Sequence, residues 1–244
     1  MASILALGKF LPCDIAVTSS PSNRKIDPTI EAKIDAVWED KKAKAEELGK
    51  TCYNGMSYRI NSLKQNGDKL EIDFGTIEFK TRMSLIQIPE YFSLGEEYHR
   101  MGCYAGATVK TTDSKYVMVE LSGKSLNSNK IEMLGGLIEK PLEINNSDDL
   151  FQSIYNELEE EACIEKGDID KIYLRAVYIG AKTDVGFYFE VTLKLSAKEL
   201  AEKFVRENKD EDVSELRFYE REEYQNILKG KSENKKLVEK LLTL

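Results

Sequence analysis

The chain has 244 residues, of which 41% are hydrophobic and 32% are charged, and its formal net charge is −8. This composition predicts one globular domain of good size, or one domain with an N-terminal extension. Nucleic acids and anionic membranes attract basic surfaces, so an acidic chain is a poor candidate for non-specific binding to either. A small anionic substrate is not excluded, because a bound divalent cation reverses the local field.

The cysteines and the first residues of the chain indicate the cellular compartment in which the protein is expected. The four cysteines, Cys13, Cys52, Cys103 and Cys163, lie far apart and form no CxxC pair. This spacing predicts neither a zinc site nor a dense disulfide framework, and reduced, mostly buried thiols are the simplest interpretation. The first nine residues are apolar but few and lack a basic segment, and no run is long enough to cross a bilayer. We therefore expect a cytoplasmic protein.

The first fifty residues are predicted to form a strand and a helix. The strand covers residues 13–18. The helix begins at Asp27-Pro28, because Asp27 is a good N-cap candidate and Pro28 suits the first helical position. Gly49 is a suitable residue to end that helix.

Two β-hairpins are predicted next. Asn66-Gly67 separates two segments of alternating polarity, residues 58–63 and 69–74, and this is a strong short-range hairpin signal. The second hairpin pairs residues 108–110 with residues 116–121 around a polar turn.

The second half of the chain alternates between predicted strands and helices. Their predicted bounds are a short strand over 131–134 that leads into Gly135-Gly136, a helix over about 148–162, strands over 172–179, 186–195 and 216–219, and helices over 196–208, 222–230 and 232–244. Ser196 and Glu199 form a capping box at the start of one of these helices. This alternation predicts the α/β class, with a mixed sheet covered by helices on both faces.

The helix predicted over 148–162 carries the most informative pattern of charges. Glu157, Glu160 and Glu161 stand at positions i, i+3 and i+4, so their carboxylates share one face and repel each other. A cation would offset this repulsion, and hard carboxylate oxygens favour Mg²⁺ or Mn²⁺ over zinc. The alternative is an ordinary solvated acidic face. The trio borders the apolar stripe of the helix, which favours a site at the rim of a cleft.

These residues, with the glycine pair upstream, resemble the Nudix hydrolase signature G-x5-E-x7-R-E-U-x-E-E-x-G-U, in which U is a bulky aliphatic residue. The matching positions are Gly136 at the opening glycine, Glu139 at an acidic position often found after it, and Glu157, Leu158, Glu160, Glu161 and Ile164 in the second half. The whole resemblance spans residues 50 to 225.

The segment also departs from that signature. Asn156 stands where the family has Arg, and Cys163 stands where it has Gly. Residues 144–147 look like a short insertion, and counting back from Asn156 places Asp148 at the first signature Glu. In the family, the Arg orients the catalytic carboxylates by ion pairing, so its loss affects the expected efficiency more than the metal site.

The resemblance implies a fold, a division of the chain and a metal site. The fold would be a Nudix-type α/β/α sandwich with a mixed central sheet. Residues 51–244 would form the hydrolase domain, and residues 1–50 an extension whose strand and helix pack on it. Glu157, Glu160 and Glu161 would bind Mg²⁺ or Mn²⁺, helped by the carbonyl of Gly136, and one of the three could act as a base instead.

The resemblance also implies a substrate class. Residues 53–59 and 70–77 look like the N-terminal region of a divergent subgroup that includes UDP-glucose and UDP-galactose pyrophosphatases. The implied reaction is hydrolysis of the diphosphate linkage of a nucleoside diphosphate sugar, giving a nucleoside monophosphate and a sugar phosphate. The alternatives are a nucleotide-binding module whose catalysis is impaired, as Asn156 and Cys163 suggest, and a pyrophosphatase for ADP-ribose or dinucleotides.

Candidate substrate contacts come from the N-terminal half. Arg59, Lys80 and Arg82 lie on or beside predicted strands and could meet phosphates, although ordinary surface charge is the better explanation for each one alone. Asp184 lies between two predicted strands, where it is a candidate base or a simple turn residue.

Overall fold

The computed structural model describes residues 3–47, 49, 51–99, 102–122, 130–180 and 184–231. The strands, in chain order, are β1 (Ser3–Phe10), β2 (Ile15–Ser19), β3 (Met56–Asn66), β4 (Lys69–Glu78), β5 (Cys103–Lys110), β6 (Tyr116–Leu121), β7 (Ile131–Glu132), β8 (Leu134–Leu137), β9 (Ile169–Ile179), β10 (Val185–Leu193) and β11 (Val213–Tyr219). The α-helices are α1 (Pro28–Glu47), α2 (Phe79–Leu85), α3 (Ser147–Ala162), α4 (Ala197–Glu207) and α5 (Arg221–Lys231).

An eight-stranded mixed sheet organises the fold. Its main path runs β1-β9-β10-β5-β6-β11, with β8 paired to β5 and β7 paired to β6. The pairing of β10 with β5 is parallel, whereas β9 pairs with both β1 and β10 in the antiparallel sense. The predicted α/β class with a mixed sheet is confirmed.

The alternation of side chains along β10 assigns the two faces of this sheet. Phe187 and Phe189 face the main core, where Phe189 contacts Phe151 of α3 edge to face at 5.1 Å. Tyr188 points to the opposite face, where its hydroxyl belongs to the same hydrogen-bonded group as that of Tyr224 from α5. Helices therefore cover both faces, as predicted.

A smaller sheet packs against the main core on the α3 side. Its order is β2-β4-β3, with β2 parallel and β3 antiparallel to β4. Phe74 of β4 stacks on Phe187 with ring centroids 5.7 Å apart, which joins the two sheets through apolar contact. Helices α1 and α2 pack together beside this sheet around Ile34, Leu85 and Tyr91.

The predicted helix starts follow from side-chain capping. Asp27 accepts hydrogen bonds from the backbone of Thr29 (2.9 Å) and Ile30 (3.3 Å), as an N-cap residue should. Ser196 and Glu199 form the expected capping box at the start of α4.

Several predicted bounds differ from the observed ones. Residues 3–10 were not predicted as a strand, yet they form β1 on the edge of the main sheet beside β9. The turn of the first hairpin consists of Gly67 and the following residue, because Asn66 still pairs with Lys69. Gly135-Gly136 lies within β8 instead of following a strand. The helix predicted over 232–244 lies outside the described residues.

Among the residues that the structure describes, no helix has both the length and the apolar character that crossing a membrane requires. The boundary predicted at residue 50 stays a prediction.

Candidate functional site

Helix α3 presents the acidic trio because its apolar stripe fixes its rotation. Leu150, Ile154 and Leu158 are fully buried in the main core. With that stripe held against the sheet, Glu157 and Glu161 fall at the edge of the helix and are half-buried.

Glu161 is held by the neighbouring strand. The backbone N–H of Gly135 in β8 donates a hydrogen bond of 2.8 Å to Oε2 of Glu161. Burial raises the pKa of Glu161 to about 8, the Gly135 hydrogen bond opposes this shift, and the charge of Glu157 adds to it. The side chain is therefore a desolvated carboxyl group whose charge is incompletely balanced.

Glu157 lies directly over the second glycine of the pair. A Cβ built on Gly136 would stand 2.3 Å from Oε2 of Glu157, so any larger residue there would force this carboxylate to move. Burial, with smaller contributions from the charges of Glu160 and Glu139, raises the pKa of Glu157 to about 7. The Gly135-Gly136 strand and α3 thus hold two of the three predicted ligands side by side.

Glu160 occupies a different environment. It is exposed and lines a cleft of about 780 Å³ that includes Asp210 and Asp212 from the segment before β11. Within the described residues, no three acidic, histidine or cysteine side chains are grouped closely enough to hold a metal ion. The structure therefore brings Glu157 and Glu161 together against the glycine strand, whereas Glu160 is exposed and lines the neighbouring cleft.

The chemistry of these donors fits a divalent cation of the magnesium type. The predicted ligand set consists of carboxylates and one backbone carbonyl, all of them hard oxygen donors. In the described part of the chain, Glu157, Glu160 and Glu161 have no ion pair with a lysine or arginine. A cation bound at this edge would therefore offset charge that no lysine or arginine among the described residues balances.

The two departures from the signature have distinct structural settings. Asn156 accepts a hydrogen bond of 2.6 Å from Gln152, one turn earlier on α3. Cys163 ends the helix in the left-handed conformation with φ 55°, and its N–H bonds to the carbonyl of Glu159 at 3.0 Å. A left-handed helix end is where glycine is most favourable, which explains on physical grounds why the signature has glycine at this position.

The three predicted substrate-binding cations all have protein partners. Arg59 is buried and donates to Oδ1 of Asn61 at 3.0 Å. Lys80 forms an ion pair with Asp35. Arg82 forms an ion pair with Asp184. None of the three has the exposed, unpaired position of ordinary surface charge.

Arg82 and Asp184 form an ion pair that the sequence did not predict. The distance from Nη2 of Arg82 to Oδ2 of Asp184 is 2.9 Å, and the two side chains are only 18% and 21% exposed. The pair lies beside Cys103 at the start of β5, where burial raises the pKa of the thiol. The two partners are distant in sequence, so no local pattern could have revealed the pairing.

Further contributors to the carboxylate environment were also missed. The donor from Gly135 is a backbone N–H, so the identity of the residue does not reveal it. Asp210 and Glu132 add negative charge near Glu161, and they come from two separate segments. Only the topology of the sheet brings these groups to one place.

The chain is similar in fold to several solved structures. The crystal structure of DR0079 from Deinococcus radiodurans shares 12% identity and a TM-score of 0.44, covering 76% of this chain and 99% of that one. The structure of Tm1382, described as a putative Nudix hydrolase, shares 12% identity and a TM-score of 0.41, covering 81% and 92%. The Nudix domain of Shewanella oneidensis NrtR, solved with ADP ribose, shares 14% identity and a TM-score of 0.38, covering 51% and 75%.

No protein-family model matches the sequence, and no curated protein matches it either. At these identities and TM-scores, the structural similarities do not establish membership of a family.

Proposed function

We propose that the protein is a Nudix-type hydrolase that cleaves the diphosphate linkage of a nucleoside diphosphate sugar, with a UDP-sugar as the favoured substrate. The observation that carries the proposal is the packing of Glu157 and Glu161 against Gly136 and Gly135, on a helix whose sequence resembles the Nudix signature. The products would be a nucleoside monophosphate and a sugar phosphate.

The roles of the three acidic residues in metal binding and proton transfer would follow from their positions. Glu161 is hydrogen-bonded to the glycine strand and Glu157 lies against it, so both would bind Mg²⁺ or Mn²⁺ with the carbonyl of Gly136. When bound, such a cation neutralises diphosphate oxygens and lowers the pKa of a coordinated water. Glu160 is exposed, so it is free to complete the ligand set or to accept the proton of the attacking water.

The residues of the N-terminal half would support the site indirectly. Arg59 and Arg82 are bonded to Asn61 and Asp184, so their first role would be to order the segments beside β5. A contact between Arg82 and a substrate phosphate would use one of the guanidinium N–H groups that is not bonded to Asp184. Lys80 would have to leave Asp35 to reach a phosphate.

The test is hydrolysis of UDP-glucose, UDP-galactose, ADP-ribose and a dinucleoside polyphosphate in Mg²⁺, in Mn²⁺ and in EDTA. We expect cleavage of a UDP-sugar that EDTA abolishes. The Glu160→Gln variant should lose turnover by about 100-fold or more, whereas Glu159→Gln is the matched control on an exposed part of the same helix and should keep it.

Other outcomes would replace this proposal. Preferred cleavage of ADP-ribose or the dinucleotide would keep the reaction class and change the substrate. Nucleotide binding without turnover of any compound would indicate a binding module, and Asn156 and Cys163 would then mark the loss of catalysis. Retained turnover in Glu160→Gln with a large drop in Tm would contradict a role for Glu160 in the reaction.

A further inference from the structure

A second polar cleft lies across the main sheet from α3. It has a volume of about 250 Å³ and is formed by β5, β6, β10 and the start of α5. The side chains that matter for its chemistry are Thr108, Lys110, Tyr116, Tyr188, Arg221 and Gln225. Alternation along β5 and β10 places Thr108 and Tyr188 on the opposite face from the core residues Val109 and Phe189, so this cleft is not the edge where Glu157 and Glu161 lie.

A chain of three buried hydroxyl groups lines the cleft. The hydroxyl of Thr108 is hydrogen-bonded to that of Tyr188 and, at 2.7 Å, to that of Tyr224. Burial raises the pKa of both tyrosines well above the ordinary value, so all three hydroxyls keep their protons at neutral pH. Three hydroxyls carry three protons and their two mutual bonds use two, which leaves one donor and several lone pairs for a ligand.

Two cations accompany this hydroxyl chain. Lys110 is half-buried and Arg221 is exposed, and in the described part of the chain neither forms an ion pair. The acidic residue in the same cleft is already compensated, since Glu190 lies 3.3 Å from Nε of Arg175 and accepts a hydrogen bond from Tyr173. The cleft therefore carries a surplus of positive charge in an acidic protein.

The remaining walls suit a small polyhydroxylated molecule. Tyr116 offers an aromatic ring, stacked on Tyr224 with centroids 4.8 Å apart, and Gln225 offers both a donor and an acceptor. The volume is a little below the usual range for drug-sized ligands, which is from about 300 Å³. A dinucleotide is too large, whereas a single sugar ring with one phosphate is of suitable size.

We propose that this cleft is a binding site for a sugar phosphate, with Lys110 and Arg221 binding the phosphate and the Thr108–Tyr188 hydroxyls binding the sugar. This site is separate from the proposed diphosphate-cleaving edge on α3, and its existence does not depend on that activity. If both proposals hold, the cleft would recognise one of the two product classes of the reaction.

The test is isothermal titration calorimetry of the full chain in EDTA, with glucose 1-phosphate, inorganic phosphate and glucose as separate titrants. EDTA removes any cation that could link phosphate to the acidic edge. We expect glucose 1-phosphate to bind more tightly than either of its parts. Lys110→Gln should weaken it by about tenfold or more, because a charge-assisted hydrogen bond is lost, and the exposed control Lys198→Gln should not change it.

A second variant separates the sugar contact from the phosphate contact. Tyr188→Phe keeps the ring and removes only the hydroxyl, so it should weaken glucose 1-phosphate while leaving inorganic phosphate unchanged. Each of three results would overturn the proposal: no binding of glucose 1-phosphate to the native chain, equal binding by Lys110→Gln, or equal binding of inorganic phosphate and glucose 1-phosphate. Circular dichroism and Tm establish that each variant is folded before it is titrated.

Discussion

The backbone N–H of Gly135 donates a 2.8 Å hydrogen bond to Oε2 of Glu161, which ties a carboxylate of α3 to strand β8. The next residue, Gly136, lies under the carboxylate of Glu157. Two consecutive glycines therefore contact carboxylates from two consecutive turns of the acidic helix. The reason for glycine differs between the two positions: at Gly135 it is the neighbouring backbone, and at Gly136 it is the Glu157 side chain.

Alanine substitution should separate these two requirements. At Gly135 the φ angle is +142°, and a Cβ would stand 2.1 Å from the carbonyl oxygen of Ala105 in the neighbouring strand. Gly135→Ala should therefore destabilise the fold by about 3 kcal/mol or more, through backbone strain and overpacking together. At Gly136 the obstacle is the flexible end of Glu157, so Gly136→Ala should change stability less and reduce metal-dependent turnover more.

Chemical denaturation and the hydrolysis assay, applied to both variants, check this prediction. The two variants serve as controls for each other, because the chemical change is identical and the positions are adjacent. An equal loss of stability in both would contradict the assignment of Glu157 as the movable obstacle at Gly136.

Stability in the absence of metal should depend on pH through the same carboxylates. The pKa values of Glu157 and Glu161 rise from 4.5 to about 7 and about 8 in the folded state. A carboxyl group with a raised folded-state pKa binds its proton more tightly when folded, so its contribution is complete below the unfolded pKa and is lost as pH rises through the folded pKa. In EDTA, Tm should therefore fall between about pH 5 and about pH 8.

Glutamine variants identify the groups responsible for that slope. Glu161→Gln has no proton to lose, so its Tm should fall less steeply with pH than that of the native chain, whereas Glu159→Gln should follow the native slope. Addition of Mg²⁺ at about pH 8 should raise the Tm of the native chain by binding the folded state. An identical slope in Glu161→Gln and the native chain would refute the assignment.

The end of α3 allows a prediction about Cys163. This residue has φ 55°, a conformation that costs a non-glycine residue about 1–2 kcal/mol. Glycine avoids the cost but gains entropy in the unfolded state, which offsets part of the benefit. Cys163→Gly should therefore be more stable than Cys163→Ala by about 0.5–1 kcal/mol, and alanine is the matched control because both variants lose the buried thiol. Urea denaturation measures the difference, and greater stability of the alanine variant would contradict it.

The sequence was sufficient for whatever depends on local pattern. The apolar stripe of α3, the N-cap at Asp27 and the box at Ser196 each act within a few residues, and the structure confirms these elements. The sequence predicted that Glu157, Glu160 and Glu161 share one face of the helix, and the structure packs two of them, Glu157 and Glu161, against β8. The sequence could not show that Glu160 is exposed in the cleft beside Asp210, because that depends on where β8 and the segment before β11 lie relative to the helix.

Local sequence patterns could not predict contacts between segments that are distant in the chain. Strand β1 was missed because its residues lack a strict alternation, and they become a strand only by pairing with β9 at the edge of the sheet. Lys80 and Arg82 were predicted from their charge and from their position on or beside predicted strands, whereas their partners Asp35 and Asp184 are supplied by the tertiary fold. The same limit applies to the hydroxyl chain of Thr108 and Tyr188, which are neighbours only because β5 and β10 pair in parallel.

The ion pair of Arg82 and Asp184 yields a last prediction. The same measurements test the alternative role of Asp184 as a catalytic base. Both side chains are largely buried, so breaking the pair leaves one desolvated charge without its partner. Asp184→Asn should cost about 1–3 kcal/mol of folding stability. Because Arg82 and Asp184 act on each other, the double variant Arg82→Gln/Asp184→Asn should lose less folding stability than the sum of the losses in the two single variants.

A catalytic base would behave differently: turnover would fall by several orders of magnitude while Tm stayed unchanged. Urea denaturation of the four proteins of this cycle, with turnover measured well below each Tm, decides between the two roles, and we expect the stability effect to dominate.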